Sequence, residues 1–158
     1  MTENVIINAA RISKRVALDE ENGKKLLAEY GIAVPKTVVV PDANSAAAVV
    51  SDLSFPLVVK VVSPDILHKS DAGGVAVGLS DADAVTAAIS EMAEKPIIKS
   101  ANVEGYLIEE MVPAGQELVI GGVRDPQFGP LIMVGLGGIF VEVLADVAFR
   151  VCPINRAD

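Results

Sequence analysis

Between Val58 and Leu79 the chain places Lys60, His68, Lys69 and Ser70 close to the pair Gly73-Gly74. Lys60 is the only ionisable residue in the β-branched run Val58–Val62, which reads as a buried strand, so its ammonium needs an anionic partner. Two successive glycines let a backbone turn tightly and bring its N–H groups near an anion, while Lys60 and Lys69 supply compact positive charge. A phosphate-bearing ligand suits that combination. The plainer reading is a long hairpin with solvated lysines and His68 as an ordinary loop histidine. Neither a Walker-type lysine loop nor a dinucleotide-type glycine fingerprint is present, so a different phosphate-binding architecture is required.

The elements that must position these residues follow from local pattern. Ser63-Pro64-Asp65 stops the first strand, and Val75, Val77 and Leu79 resume an apolar run, giving strand, polar loop, strand. Upstream, Asp19 is an N-cap, Glu20 and Glu21 favour a first helical turn, Leu26, Leu27 and Tyr30 form an apolar face, and Gly31 stops the helix. Thr37–Val40 reads as a strand. An alanine-rich helix follows, capped by Asn44 or Ser45 and covering a sheet with Ala47, Val50 and Leu53. Ser80 with Asp83 resembles a capping box for a helix carrying Val85, Ile89 and Met92. The order is α-β-α-β-β-α, a two-layer unit.

Downstream, Ile97-Ile98 is strand-like inside a weakly patterned connection. Tyr106–Val112 reads as a strand, with Val119–Val123 as its hairpin partner across Pro113-Ala114-Gly115. Leu131–Gly135, Phe140–Leu144 and Phe149–Cys152 continue an antiparallel sheet. That apolar sheet needs helices over one face, and no segment after Cys152 is long enough to form one, so a truncated chain is expected.

Composition narrows the function classes. With 158 residues, 51% of them hydrophobic, the chain can build a core, and its net charge of −8 disfavours nonspecific binding to nucleic acid or anionic membrane. One cysteine, Cys152, cannot form an internal disulfide, and one histidine leaves no zinc-type spacing, so a cytoplasmic location and no metal site are expected. Acidic and glycine- or proline-broken runs give no membrane span and no leader.

The stretch SPDILHKSDAGGVAVGL resembles the signature loop of the ATP-grasp domain in ADP-forming (NDP-forming) acyl-CoA synthetases, such as ADP-forming acetyl-CoA synthetase, and in related bacterial protein acetyltransferases. LLAEYGIAVP and PQFGPLIMVGLGGIFVEVLADVAFRVCP are similar to the same family in the same order, so that the likeness covers about residues 20–154. The resemblance implies an α+β fold, ATP-grasp, with two α+β subdomains and mixed or antiparallel sheets, the second subdomain incomplete. Residues 1–18 become a lead-in, 19–95 the N-terminal subdomain, 96–105 a connection and 106–158 part of the C-terminal subdomain.

Carried over by motif, Lys60 contacts the α- and β-phosphates of ATP or ADP, and Lys69, Ser70, Gly73 and Gly74 belong to the loop that closes over phosphate. Glu109, Glu110 and Val112 match the adenine-reading segment, and Glu117 the carboxylate that accepts from the ribose hydroxyls. Arg150 reaches the phosphates, whereas Glu142 and Asp146 are read as structural. His68 is the catalytic residue, relaying a phosphoryl group as phosphohistidine. Mg²⁺ in the intact enzyme is held by a DINP-like motif in family members, and no such motif follows Cys152.

What this implies is the nucleotide-binding part of an acid–thiol ligase, inactive as an isolated chain, working with CoA-binding and ligase portions elsewhere in the polypeptide or on a partner subunit. An exposed sheet edge implies an oligomer. The alternatives are a regulatory platform in a protein lysine acetyltransferase and a non-catalytic nucleotide-binding or assembly module.

Overall fold

A computed structural model describes residues 4–15, 17–66, 68–137 and 147–157, and the chain forms two compact units, Met1–Val112 and Pro113–Asp158. Gly138, Phe140–Leu144, Glu142 and Asp146 lie outside the described residues.

The first unit is built on a four-stranded antiparallel sheet in the order β1-β4-β2-β3, with β1 Thr37–Val40, β2 Leu57–Val62, β3 Val75–Leu79 and β4 Gly105–Glu110. Side chains alternate across β2 and β4, and register Val59↔Ile108 and Val61↔Tyr106 puts Leu57, Val59, Val61, Tyr106 and Ile108 on one face. Helices α3 (Ala43–Val49) and α4 (Ala82–Ala93) cover that face, adding Ala46, Val85, Ile89 and Met92 to the core. Leu57, Val59 and Val61 are fully buried, each contributing about 1.5–3 kcal/mol of apolar burial. The opposite face carries Val58, Lys60, Leu107 and Glu109. Strand alternation therefore turns Lys60 and Glu109 away from the helix-covered face, and the β2–β4 pairing sets them near each other.

Helix α2 (Glu20–Glu29) starts as the sequence predicts, with the Asp19 carboxylate accepting from Asn22 N–H at 2.8 Å. Its expected apolar face is not what docks. Leu27 and Tyr30 remain 45% and 75% exposed, while Glu20 and Lys24 turn inward to ion pairs that hold the helix. Two further caps differ from expectation. Asp42, not Asn44 or Ser45, caps α3 by accepting from Ser45 N–H, and Asp81, not Ser80, caps α4 by accepting from Ala84 N–H. In both cases an aspartate immediately before the helix has its carboxylate placed to accept from the N–H three residues on, whereas Asn44 and Ser45 are already inside α3 and Ser80 lies one residue too early. Ala46 rather than Ala47 is buried in α3. The lead-in forms a helix, α1 (Val5–Ile12), capped by Asn4, and Ile97-Ile98 lies in a short helix, α5 (Pro96–Lys99), behind an N1 proline that favours a helical start over a strand.

The largest departure concerns β4. Tyr106–Val112 is expected to open the second subdomain and pair with Val119–Val123, but β4 sits between β1 and β2 with both edges satisfied, and the chain divides after Val112. The second unit is an antiparallel meander of β5 (Leu118–Asp125), β6 (Gly129–Leu136) and β7 (Val147–Val151). Its β5–β6 turn is held by the Asp125 carboxylate, which accepts from Gln127 and Phe128 N–H at 2.8 Å, and Gly129 takes φ +77°.

Candidate functional site

On the sheet face opposite the core, three lysines from three different segments converge on two carboxylates. The Lys60 ammonium, projecting from β2, donates to Glu20 Oε1 at 2.5 Å and to Glu109 Oε1 at 3.1 Å. Lys24, one turn along α2, donates to Glu20 Oε1 at 2.9 Å and also pairs with Glu109 Oε2. Lys69, from the loop after β2, donates to Glu20 Oε2 at 2.9 Å. Lys24 and Lys60 thus bridge both carboxylates, closing a ring to which Lys69 is attached through Glu20 alone among the described residues.

The cluster carries three cations and two anions, an excess of one positive charge. Burial raises the Glu20 carboxyl, but hydrogen bonds from Lys24, Lys60 and Lys69 outweigh it and hold the group down at about 2. Burial also pulls the Lys24 ammonium below its ordinary value; Glu20 opposes this, and the repulsion of Lys60 and Lys69 adds to it. Glu109 is the deepest member, its side chain 8% exposed against 25% for Glu20. A buried carboxylate with two ammonium partners is satisfied; lysines gathered this closely are a ready seat for a larger anion.

The HKSDAGG loop, which carries Lys69 to this cluster, folds as a compact turn. Ala72 N–H donates to the His68 carbonyl at 3.2 Å, Gly73 N–H to Ser70 at 2.9 Å and Gly74 N–H to Lys69 at 2.6 Å. The two glycine N–H groups, which the sequence suggests could face an anion, are in this structure bonded within the turn. Glycine is needed here for space and handedness: Gly73 has φ +67° with the Lys95 ammonium on its carbonyl at 2.6 Å, and a Cβ on Gly74 would collide with Val61 Cγ1. The loop is thereby tied to β2, with Val61 N–H donating to the Gly74 carbonyl at 2.8 Å. His68 and Ser70 are exposed on its outer side.

Within the first unit, Glu110 and Val112 do not join the cluster. Glu110, one position beyond Glu109, points to the other face and accepts from Ser54 N–H at 2.8 Å. Val112 is 68% exposed at the end of the first unit. Glu117 and Arg150 belong to the second unit: Glu117 is exposed with its carbonyl accepting from Gly137 N–H, and Arg150 lies opposite Ile132 on β7 and donates to the Phe149 carbonyl at 2.8 Å. Sequence reasoning missed Glu20 and Lys24 as site residues, reading Glu20 only as a first-turn acid. The available signal was their i,i+4 spacing, which places both on one face of α2.

A cavity of about 500 Å³ opens beside the cluster, with Leu18, Pro64 and Ile66 as apolar wall and Arg15, Glu20 and Lys69 among its charged lining. Arg15 is held to the Glu104 carboxylate at 2.8 and 3.0 Å. Among the described residues no group of three or more His, Cys, Asp or Glu side chains could hold a metal ion, and no helix is long and apolar enough to cross a membrane.

Comparison with known proteins bears on what such a site holds. The family model for the ATP-grasp domain matches residues 9–158. The chain is 41% identical to the ADP-forming acetate–CoA ligase I subunit beta of Pyrococcus furiosus, covering 97% of this chain and 66% of that one. It is 42% identical to the ADP-forming 4-hydroxybutyrate–CoA ligase of Nitrosopumilus maritimus, covering 95% of this chain and 22% of that one. It therefore spans just under two thirds of the first relative and about a fifth of the second. Among solved structures, acetyl-coenzyme A synthetase 1 of Ca. Korarchaeum cryptofilum, in complex with coenzyme A and Ca-AMPCP, matches with TM-score 0.89 and 41% identity over 97% of this chain and 68% of that one. A second structure of that protein, with coenzyme A and Mg-AMPPCP and its phosphohistidine segment pointing towards the nucleotide-binding site, matches with TM-score 0.79 and 39% identity over 97% of this chain and 65% of that one.

Proposed function

Because this chain belongs to the ATP-grasp family, we propose that it is the ATP/ADP-binding part of an ADP-forming acyl-CoA synthetase, an acid–thiol ligase catalysing acyl-CoA + ADP + phosphate ⇌ carboxylate + ATP + CoA. The observation that carries this reading is the convergence of Lys60, Lys24 and the loop's Lys69 on one carboxylate, Glu20, a cationic seat suited to a polyphosphate. Lys60 and Lys69 hold the α- and β-phosphates. Ser70, Gly73 and Gly74 shape the loop over them, and Lys24 adds a third cation that the motif by itself does not name.

His68, exposed on the loop, takes the phosphoryl group as phosphohistidine and passes it to ADP: the N–P bond breaks, a P–O bond to the terminal phosphate of ADP forms, and the electron pair returns to the imidazole nitrogen. Glu109, Glu110 and Val112 lie where β4 leaves the first unit, the position proposed for adenine. By the family motif, Glu117 is assigned to the ribose and Arg150 to the phosphates. The chain divides into its two compact units between Val112 and Pro113. The Mg²⁺ that accompanies the nucleotide analogue in a relative finds no carboxylate set among the described residues, so no step here runs through it.

CoA-binding and acyl-handling portions are supplied by another region or subunit of the same cytoplasmic, oligomeric synthetase; the relatives named above, of which this chain covers only part, support that organisation. Those relatives are ligases, which favours this reading over an acetyltransferase platform. Calorimetric titration of ADP into the chain and a Lys60→Ala variant tests it: binding that the variant loses is expected, and no binding to the unmutated chain would overturn it.

A further inference from the structure

Resting on the nucleotide reading above, we propose that Glu20 is an internal counter-anion that occupies the lysine seat when it is empty and must release Lys60 and Lys69 for a polyphosphate to bind, while Glu109 stays paired and positions Lys60. The two carboxylates are not equivalent. Glu109 is the penultimate residue of the inner strand β4, paired with β1 on one side and β2 on the other, with its side chain 8% exposed; leaving its ammonium partners would strand a buried charge. Glu20 is on the first turn of α2, its side chain 25% exposed, and can rotate towards solvent without moving the sheet.

Charge gives the same assignment. With both carboxylates in place the three ammonium groups have an excess of one positive charge, too little for a diphosphate, which carries two or more negative charges at neutral pH. Withdrawing Glu20 doubles the excess. Glu20 also spans the anion-binding atoms as a phosphate would, its Oε1 accepting from Lys60 and Lys24 at 2.5 and 2.9 Å and its Oε2 from Lys69 at 2.9 Å. The Lys69 ammonium has no other partner among the described residues, so releasing Glu20 frees it for an incoming anion.

The test compares the full chain with Glu20→Gln, Glu20→Asp and Glu109→Gln by calorimetric titration of ADP and, separately, of inorganic pyrophosphate. Removing a competing anion strengthens binding, so Glu20→Gln should bind both about 3- to 10-fold more tightly, whereas Glu109→Gln should bind both more weakly. A helix or loop that merely lost support would weaken binding in every variant. Glu20→Asp keeps the charge and the cluster's fold but shortens the reach, and should fall between the unmutated chain and Glu20→Gln; it carries the test if Glu20→Gln does not fold. Pyrophosphate binding that strengthens in Glu20→Gln while ADP binds to none of the proteins would sink the nucleotide reading and leave the counter-anion standing. Affinities unchanged or weakened in the Glu20 variants would overturn the inference.

Discussion

Glu109 Oε1 accepts from the Lys60 ammonium at 3.1 Å across two neighbouring strands, in a register that sets Val58, two residues before Lys60, directly opposite Glu109. The contact is a diagonal cross-strand pair, within reach of two long side chains on one face of the sheet. It makes the phosphate-seat lysine part of the sheet's own electrostatics, and several consequences can be measured.

Replacing Glu109 with Ala leaves Lys24 and Lys60 without their most buried counter-charge. Breaking a buried pair from one side costs about 3–5 kcal/mol, and the partial exposure of the two lysines places the expected loss near the lower end, about 3 kcal/mol. Urea unfolding of the variant and the unmutated chain measures it. A change below about 0.5 kcal/mol, the size typical of surface substitutions, would remove the ion cluster as a structural element.

Acid stability should report on Glu20. Its carboxyl titrates at about 2 in the folded chain against an ordinary 4.5. A depressed acid adds stability that is complete above 4.5 and disappears as pH falls towards 2. Unfolding free energy should therefore drop across that window, and less steeply in Glu20→Gln. Identical slopes for the two proteins would show that Glu20 does not hold the lysines in solution.

Gly74→Ala should destabilise the loop, because the new Cβ would overlap Val61 Cγ1 and lie 3.1 Å from the Lys69 carbonyl oxygen. Overpacking of this kind costs about 1–3 kcal/mol. Trimming the opposing methyls with Val61→Ala should recover part of the loss, giving a positive coupling in a double-mutant cycle. Strict additivity of the two changes would mean that the glycine is required only for its backbone.

Asp81→Ala removes the carboxylate that accepts from Ala84 N–H at 2.8 Å and starts α4. A lost N-cap costs about 1 kcal/mol, and because α4 covers the apolar face of the sheet while the lysine seat is on the other, ADP affinity should stay unchanged. A thermal melt read beside an ADP titration separates the two effects.

Much of the fold was legible in the residues. The β-branched runs at Thr37–Val40 and Val58–Val62, the latter extended by Leu57 in β2, the Asp19 cap and the strand–loop–strand around Gly73-Gly74 all stand as expected, because each is fixed by neighbours a few positions away. The HKSDAGG motif likewise pointed to the family that matches residues 9–158. Errors arose where two local signals competed, as at the α3 and α4 caps, or where hydrophobic periodicity misassigned the docking face of α2.

Tertiary structure decided the partners. Alternation says that Lys60 and Glu109 each leave the core face, yet nothing local says that β4 inserts between β1 and β2, so the sequence reading placed Tyr106–Val112 in the wrong unit. Only that insertion brings Glu109 to Lys60, and only the docking of α2 brings Glu20 and Lys24 to both. The sequence determines which residues can be charged, apolar or tightly turned; which charges meet depends on contacts between segments 40, 49 and 85 residues apart, and these exist only once the sheet has formed.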